Sequence, residues 1–279
     1  MRHNLEQIVN LMYDRVSMLA FIIFLLLFHP FSVSAASDTS YKDYLYQYDI
    51  YRQVQTEYQT AKTSYEKFKS LSSETTATDA TRRFLTQRNI LVRTYILVLK
   101  DKLSQQTSLD AGMRQQFQDT LQSEITLLND DIQSIASTQT LGDVLNATTS
   151  FDTHYSAFQL TVTKTQLLLS LGRVHAVYLK FVSLINSIQS LKPLYEPYLS
   201  PQKLHTVNQW ITQITDKKTQ YDDTYASLMD SIQRIKAYDA SDLERQSTEI
   251  SKQITQLNGY MTSASSYLVE LSDMLKYTE

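Results

Sequence analysis

Residues 151–191, FDTHYSAFQLTVTKTQLLLSLGRVHAVYLKFVSLINSIQSL, decide the fold class. Between Leu167 and Ile185, 13 of 19 residues are apolar, and they do not keep to one face. A helix that is apolar nearly all round has to be covered on several sides, by other helices or by lipid. Arg173, His175 and Lys180 interrupt the stretch, and charged groups are costly at a bilayer centre. Long basic side chains can instead reach the surface of a bundle. The stretch therefore reads as the buried central helix of a bundle, ending near Leu191, where Pro193 bars continuation.

Composition points the same way. Four glycines and four prolines in 279 residues are too few for strand-and-turn folds or glycine-rich phosphate loops. No cysteine is present, which excludes disulfides, thiolate metal sites, a cysteine nucleophile and lipid attachment at an amino-terminal cysteine. The net charge of −3 offers no electrostatic hold on nucleic acid or anionic lipid. The expected fold is all-α: an elongated bundle of about six helices with coiled-coil-like seams and a carboxy-terminal antiparallel helical hairpin.

Val16–Phe28 is apolar apart from Ser17 and follows a segment holding Arg2 and Arg15. The small residues Ser32 to Ala36 come after it, and Val33-x-Ala35 and Ser34-x-Ala36 fit the cleavage pattern of a secretory signal peptide. Residues 1–35 thus read as a signal peptide; an uncleaved membrane anchor is the alternative. The apolar core falls short of the roughly 20 residues a membrane-spanning helix needs. Cleavage would leave about 244 residues, which is enough for a substantial core, in a secreted, periplasmic or envelope location.

Two regions follow: a helical bundle over 39–192 and an antiparallel hairpin over 200–279. Ser40-x-x-Asp43 resembles a capping box for a helix over 41–71. In it, Tyr44, Tyr51, Tyr58 and Tyr65 recur every seven residues, as in a coiled-coil seam. These tyrosines read as seam rings with hydroxyls at the wet edge rather than as a stacking surface for glycan or peptide. SSETTAT, residues 72–78, reads as a polar connection to a second helix over 79–106. Asp110 opens a third, with Met113, Phe117, Leu121, Ile125, Leu128, Ile132 and Ile135 on one face. Thr140-x-x-Asp143 and Thr149-x-x-Asp152 suggest a short helix, a break at 146–149, and then the central helix. Ser200-Pro201 is a cap-plus-first-position pair. Leu204, Val207, Ile211, Ile214, Lys218, Tyr221, Tyr225, Leu228, Ile232 and Ile235 alternate three and four apart, with Lys218 as a polar interruption of the kind that fixes register. Ser241-x-x-Glu244 opens the last helix.

Chemistry is sparse. His154, His175 and His205 follow the leader, and none has a His, Asp or Glu four residues away, so no two-ligand helical metal motif exists. No serine lies in a glycine-flanked nucleophile turn. No catalytic residue, cofactor or metal site is expected. Arg82, Arg93 and Lys100 lie close to one helical stripe and are candidate anion contacts, with salt bridges to neighbouring helices as the plainer use. Tyr195 and Tyr198, between the prolines of KPLYEPYLSP, are a candidate recognition surface, with a stiff connector of partly buried rings as the plainer reading. Asn146 heads the sequon Asn146-Ala147-Thr148.

The resulting expectation is a non-catalytic extracytoplasmic helical scaffold or interaction protein. Its partner would be a protein or cell-envelope component, or a second copy through the helical seams. It would touch membrane only through residues 16–36, if these are retained, and would bind no nucleic acid. One alternative is a secreted helical protein that inserts into membranes by exposing Leu167–Ile185. A third is a hydrolase whose site is assembled from residues distant in sequence.

Overall fold

The computed structural model describes residues 35–236 and 240–276, and every regular element among them is helical. They are α1 Ala35–Phe68, α2 Leu71–Ser104, α3 Ala111–Ala136, α4 Leu141–Tyr195, a 3-10 turn Glu196–Tyr198, α5 Pro201–Arg234 and α6 Ala240–Lys276. The fold is an all-α bundle of packed helices. The apolar run of the expected leader, Val16–Phe28, lies outside the described residues.

Helix starts fall where side chains can satisfy the free amides of a first turn. Asp110 accepts a hydrogen bond from the Met113 amide at 2.9 Å. Ser200 accepts one from the Lys203 amide at 3.3 Å, with Pro201 first in the helix. Thr140 and Asp143 form a reciprocal box, the two bonds 3.1 and 3.0 Å long. Hydrogen bonding from the Thr140 side chain, and then from its amide, holds the Asp143 carboxyl below its ordinary value.

Four boundaries differ from expectation. The first helix begins at Ala35, which places Ser40 inside it, where its hydroxyl bonds the Asp101 carboxylate of α2 rather than capping. The stretch 72–78 is helix, not connection; only Lys69, at φ 46°, and Ser70 separate α1 from α2. Ser70 and Ser73 cap the start reciprocally. Thr75, Thr76 and Thr78 then bond the carbonyls four residues back, which absorbs the hydroxyls that otherwise compete with helix. Ser73, Ala77, Thr78, Ala80 and Thr81 are buried, so the small side chains serve close packing. No break occurs at 146–149, because α4 runs unbroken from the Thr140 cap. Val144 is fully buried beside Leu85 and Ile135, with Ala147 against them, and this contact keeps the first turns of α4 in register. Finally, α4 ends at Tyr195 rather than Leu191. Pro193 lies in its last turn, and the helix stops two residues beyond it.

The described residues form two compact units. The first holds everything up to Leu169, together with 235–236 and 240–247. Here α1 and α2 run antiparallel: Glu57 meets Arg83 at 3.0 Å, Gln47 meets Gln87 at 2.9 Å, and the Tyr44 and Tyr95 rings lie 5.5 Å apart. Phe84 stacks on Tyr58 at 4.8 Å and lies beside Tyr51. The seam tyrosines Tyr44, Tyr51, Tyr58 and Tyr65 are half-buried, while Phe68 is exposed. Helix α3 returns along α2, with Arg93 bonding Asn129 and Lys100 bonding Gln122. Its expected face is buried at Phe117, Leu121, Ile125, Leu128 and Ile135.

The second unit contains Ser170–Arg234 and residues 248–276. The later part of α4 runs antiparallel to α5. His175 faces Tyr225, Tyr178 faces Tyr221, and Lys192 bonds Asn208. Aliphatic residues of three helices, among them Ile185, Ile214 and Leu271, surround an interior gap of about 10 Å³, at the lower limit for one water. Buried positions recur every seven residues on α5 (Val207, Ile214, Tyr221, Leu228) and on α6 (Ile250, Leu257, Ala264, Leu271).

The Thr140 cap gives a direct check on α4. Thr140→Ala is expected to cost about 1 kcal/mol of stability, measured by denaturant unfolding. In the native chain the amides of 146–149 should exchange slowly with deuterium. Fast exchange there would restore the break.

Candidate functional site

The most chemically dense cluster lies where α4 meets α5 in the second unit. His175 and Tyr178 are three residues apart on α4, and Tyr221 and Tyr225 four apart on α5, so each pair shares a helix face. The four rings interleave. Tyr178 lies 3.7 Å from Tyr221 at an interplanar angle of 8°, and His175 lies 4.0 Å from Tyr225 at 17°. His175 Nδ1 is 3.4 Å from the Tyr221 hydroxyl, a long contact.

A carboxylate ties the stack together. The Tyr178 hydroxyl donates to one oxygen of Asp222. Lys218 Nζ donates to the other at 2.8 Å, one helical turn away. Lys218, the polar interruption in the α5 seam, thus holds the acid that grips α4. Burial, together with the Asp222 bond and charge, raises the Tyr178 phenol well above its ordinary value. Burial does the same to Tyr221, which is 1 % exposed, with further push from Tyr225, Tyr178 and Asp222. Burial lowers His175, against an opposing pull from Asp222.

Phenols held neutral do not serve as bases near neutrality, and both Asp222 oxygens are engaged. The rings fill the space between the helices with their own faces. Among the described residues, no three His, Asp or Glu side chains are grouped to hold a metal ion.

Comparison with protein-family models, with curated proteins and with solved structures finds no match. The chemistry of this chain has to be read from its own residues.

The three candidate anion contacts do not converge on a common point. Arg82 pairs with Asp79 on its own helix at 3.3 Å. Arg93 and Lys100 each bond a side-chain amide of α3, Asn129 at 2.8 Å and Gln122 at 2.5 Å. Their partners are amides where acids on neighbouring helices were expected, and the two bonds fix α2 against α3.

Tyr195 and Tyr198 separate. Tyr195 is buried, its hydroxyl has no hydrogen-bond partner among the described residues, and burial with the Glu196 carboxylate pushes the phenol up to about 12. Only Tyr198 is displayed, 58 % exposed. Asn146 is exposed, but on the α4 helix rather than in a loop.

Sequence reading passed over two features. The ring stack joins residues some 45 positions apart, and only the α4–α5 register brings them together. Asn89 is fully buried in α2, seven and fourteen residues before the equally buried Ile96 and Leu103. A polar residue at such spacing restricts which alignments a helix pair tolerates, and a periodicity search would have found it.

Deleting members of the cluster should separate its parts. Tyr178→Phe removes one hydrogen bond and is expected to cost about 1 kcal/mol. Asp222→Ala strips partners from both Tyr178 and Lys218 and should cost more, about 2 kcal/mol, since Lys218 can still turn to water. Urea unfolding of the two variants measures the order, and equal costs would remove Asp222 from its bridging place.

Proposed function

We propose that this chain is a non-catalytic helical scaffold that works outside the cytoplasm, through contacts with a protein or cell-envelope component. The observation that carries the reading is a group of exposed rings and one leucine near the start of α1. Tyr41, Leu45 and Tyr48 lie at i, i+4 and i+7 along one face and are each more than 40 % exposed, with Tyr46 beside them at 63 %. Clustered apolar side chains of this kind on a soluble surface mark sites of association. Tyrosine suits that role, since a rigid ring and a hydroxyl give contact area and hydrogen bonding at low entropic cost.

The seams support a scaffold in a second way. We read α5 and α6 as an antiparallel hairpin with coiled-coil-like packing. The seven-residue spacing of their buried positions favours this, as does Lys217 Nζ lying 5.8 Å from the Tyr260 ring centroid. The polar groups described above join helix to helix, which is what a stiff contact protein requires. Secretion by way of residues 1–35 remains part of the proposal and rests on the leader pattern alone.

A second reading has its own observation. The stretch Thr153–Tyr198 is long and apolar enough to cross a membrane, and 44 % of its most apolar window is buried. Length and composition alone speak for a protein that inserts α4 into lipid, and the core helix of a soluble bundle shares both. Dye release from vesicles carrying phosphatidylcholine and phosphatidylglycerol tests it, and absence of release at every pH tried would set it aside.

For the scaffold, the full chain and a triple variant (Tyr41→Ser, Leu45→Ser, Tyr48→Ser) would be compared by sedimentation velocity and by co-sedimentation with washed cell envelopes. The native chain should associate, with itself or with the envelope, and the variant should lose at least tenfold in affinity. A strictly monomeric chain that leaves the envelope in the supernatant would overturn the proposal.

A further inference from the structure

We propose that His175 is an acid-sensitive latch, whose protonation loosens the grip of α5 on the apolar part of α4. The proposal stands on placement. His175 sits within the Leu167–Ile185 stretch, half-buried, its ring flat against Tyr225 and close to Tyr178 and Tyr221. The Tyr221 hydroxyl faces Nδ1, and a tyrosine donating there requires the imidazole proton to sit on Nε2. Protonation turns Nδ1 into a donor, so the Tyr221 hydroxyl has to turn round and accept, which leaves its own hydrogen aimed away from the only hydrogen-bond partner described for it. Tyr221 is almost wholly enclosed, so its hydroxyl cannot turn to water for relief. An enclosed donor left without an acceptor is costly, and movement of the ring stack relieves it; it is the same stack that registers α4 against α5.

The surrounding charges set the direction. From α5, Asp222 favours the imidazolium, while Lys218 is already held by that carboxylate; Tyr221 and Tyr225 are neutral phenols near neutral pH. On α4 itself, Arg173 and Lys180 are exposed, and Tyr178 is spent on Asp222. On α6, Glu249 and Lys252 pair with each other at the surface, and Lys217 of α5 lies over Tyr260. Burial outweighs the pull of Asp222 and holds the folded-state value below the ordinary one for histidine. A depressed histidine contributes stability above its unfolded value near 6.5. That contribution is lost as the pH falls from there through the folded value.

The test is thermal unfolding of the full chain at pH 7.5 and about pH 5, for the native protein and for His175→Gln, His154→Gln and His205→Gln. The native chain should lose stability on acidification. His175→Gln should lose less than half as much, while the other two variants, at exposed positions, should follow the native chain. An acid-induced loss equal in His175→Gln and the native chain would overturn the latch. Should His175→Gln not fold, the imidazole resonances of the native chain decide: His175 is expected to titrate below the ordinary value for histidine. Titration of His175 at or above that ordinary value would contradict the proposal.

Discussion

The structure depends on covering α4. Leu167, Leu168 and Leu169 are consecutive and all buried, and so are Tyr178, Phe181, Leu184, Ile185 and Ile188 further on. Three consecutive buried residues point in directions 100° apart, so no single neighbouring helix can cover them. At about 25 cal/mol for each Å² of apolar surface removed from water, such a helix gains most by being wrapped. Leu85 of α2 and Ile135 of α3 lie against the start of α4, and Ile214 of α5 and Leu271 of α6 against its later part. A chain without cysteine has no covalent substitute for this packing.

Within that constraint, polar residues settle alignment. Apolar stripes with seven-residue spacing tolerate a slip by one heptad, since the slipped pairing looks much like the correct one. Asp222 reaching Tyr178, Arg93 reaching Asn129 and Gln87 reaching Gln47 are each satisfied in one register only. Their individual energies are modest because most are partly exposed. Their value lies in the alternatives they exclude.

Much of this was legible in the chain, for reasons that differ by element. The all-α class followed from scarce glycine and proline and from the apolar stretch. The starts at Asp110, Thr140 and Ser200 were visible because a capping side chain acts within three residues of itself. The stretch 72–78 was not, since serine and threonine favour a loop by local preference and helix only when packing rewards their small size. Nor was the continuity of α4 past Asn146, which rests on Val144 meeting Leu85 and Ile135. The cluster around His175 was the least legible. Each member was visible, and Lys218 stood out as an interruption, but their meeting depends on helix register, which local sequence does not encode. For Tyr195 and Tyr198 the sequence offered display or a connector of partly buried rings, and could not show that the first is enclosed and the second exposed, because that depends on which way the last turn of α4 faces.

The burial of α4 can be tested directly, because the chain has no cysteine to give background reaction. Single substitutions Leu168→Cys, Leu171→Cys and Leu179→Cys would be treated with a water-soluble maleimide under native conditions. Leu168 and Leu171 are fully buried, whereas Leu179 on the same helix is 46 % exposed. Labelling is expected to be fast at 179 and slow at 168 and 171 until denaturant is added. Equal rates at all three positions in native buffer would mean that α4 is not wrapped by its own chain.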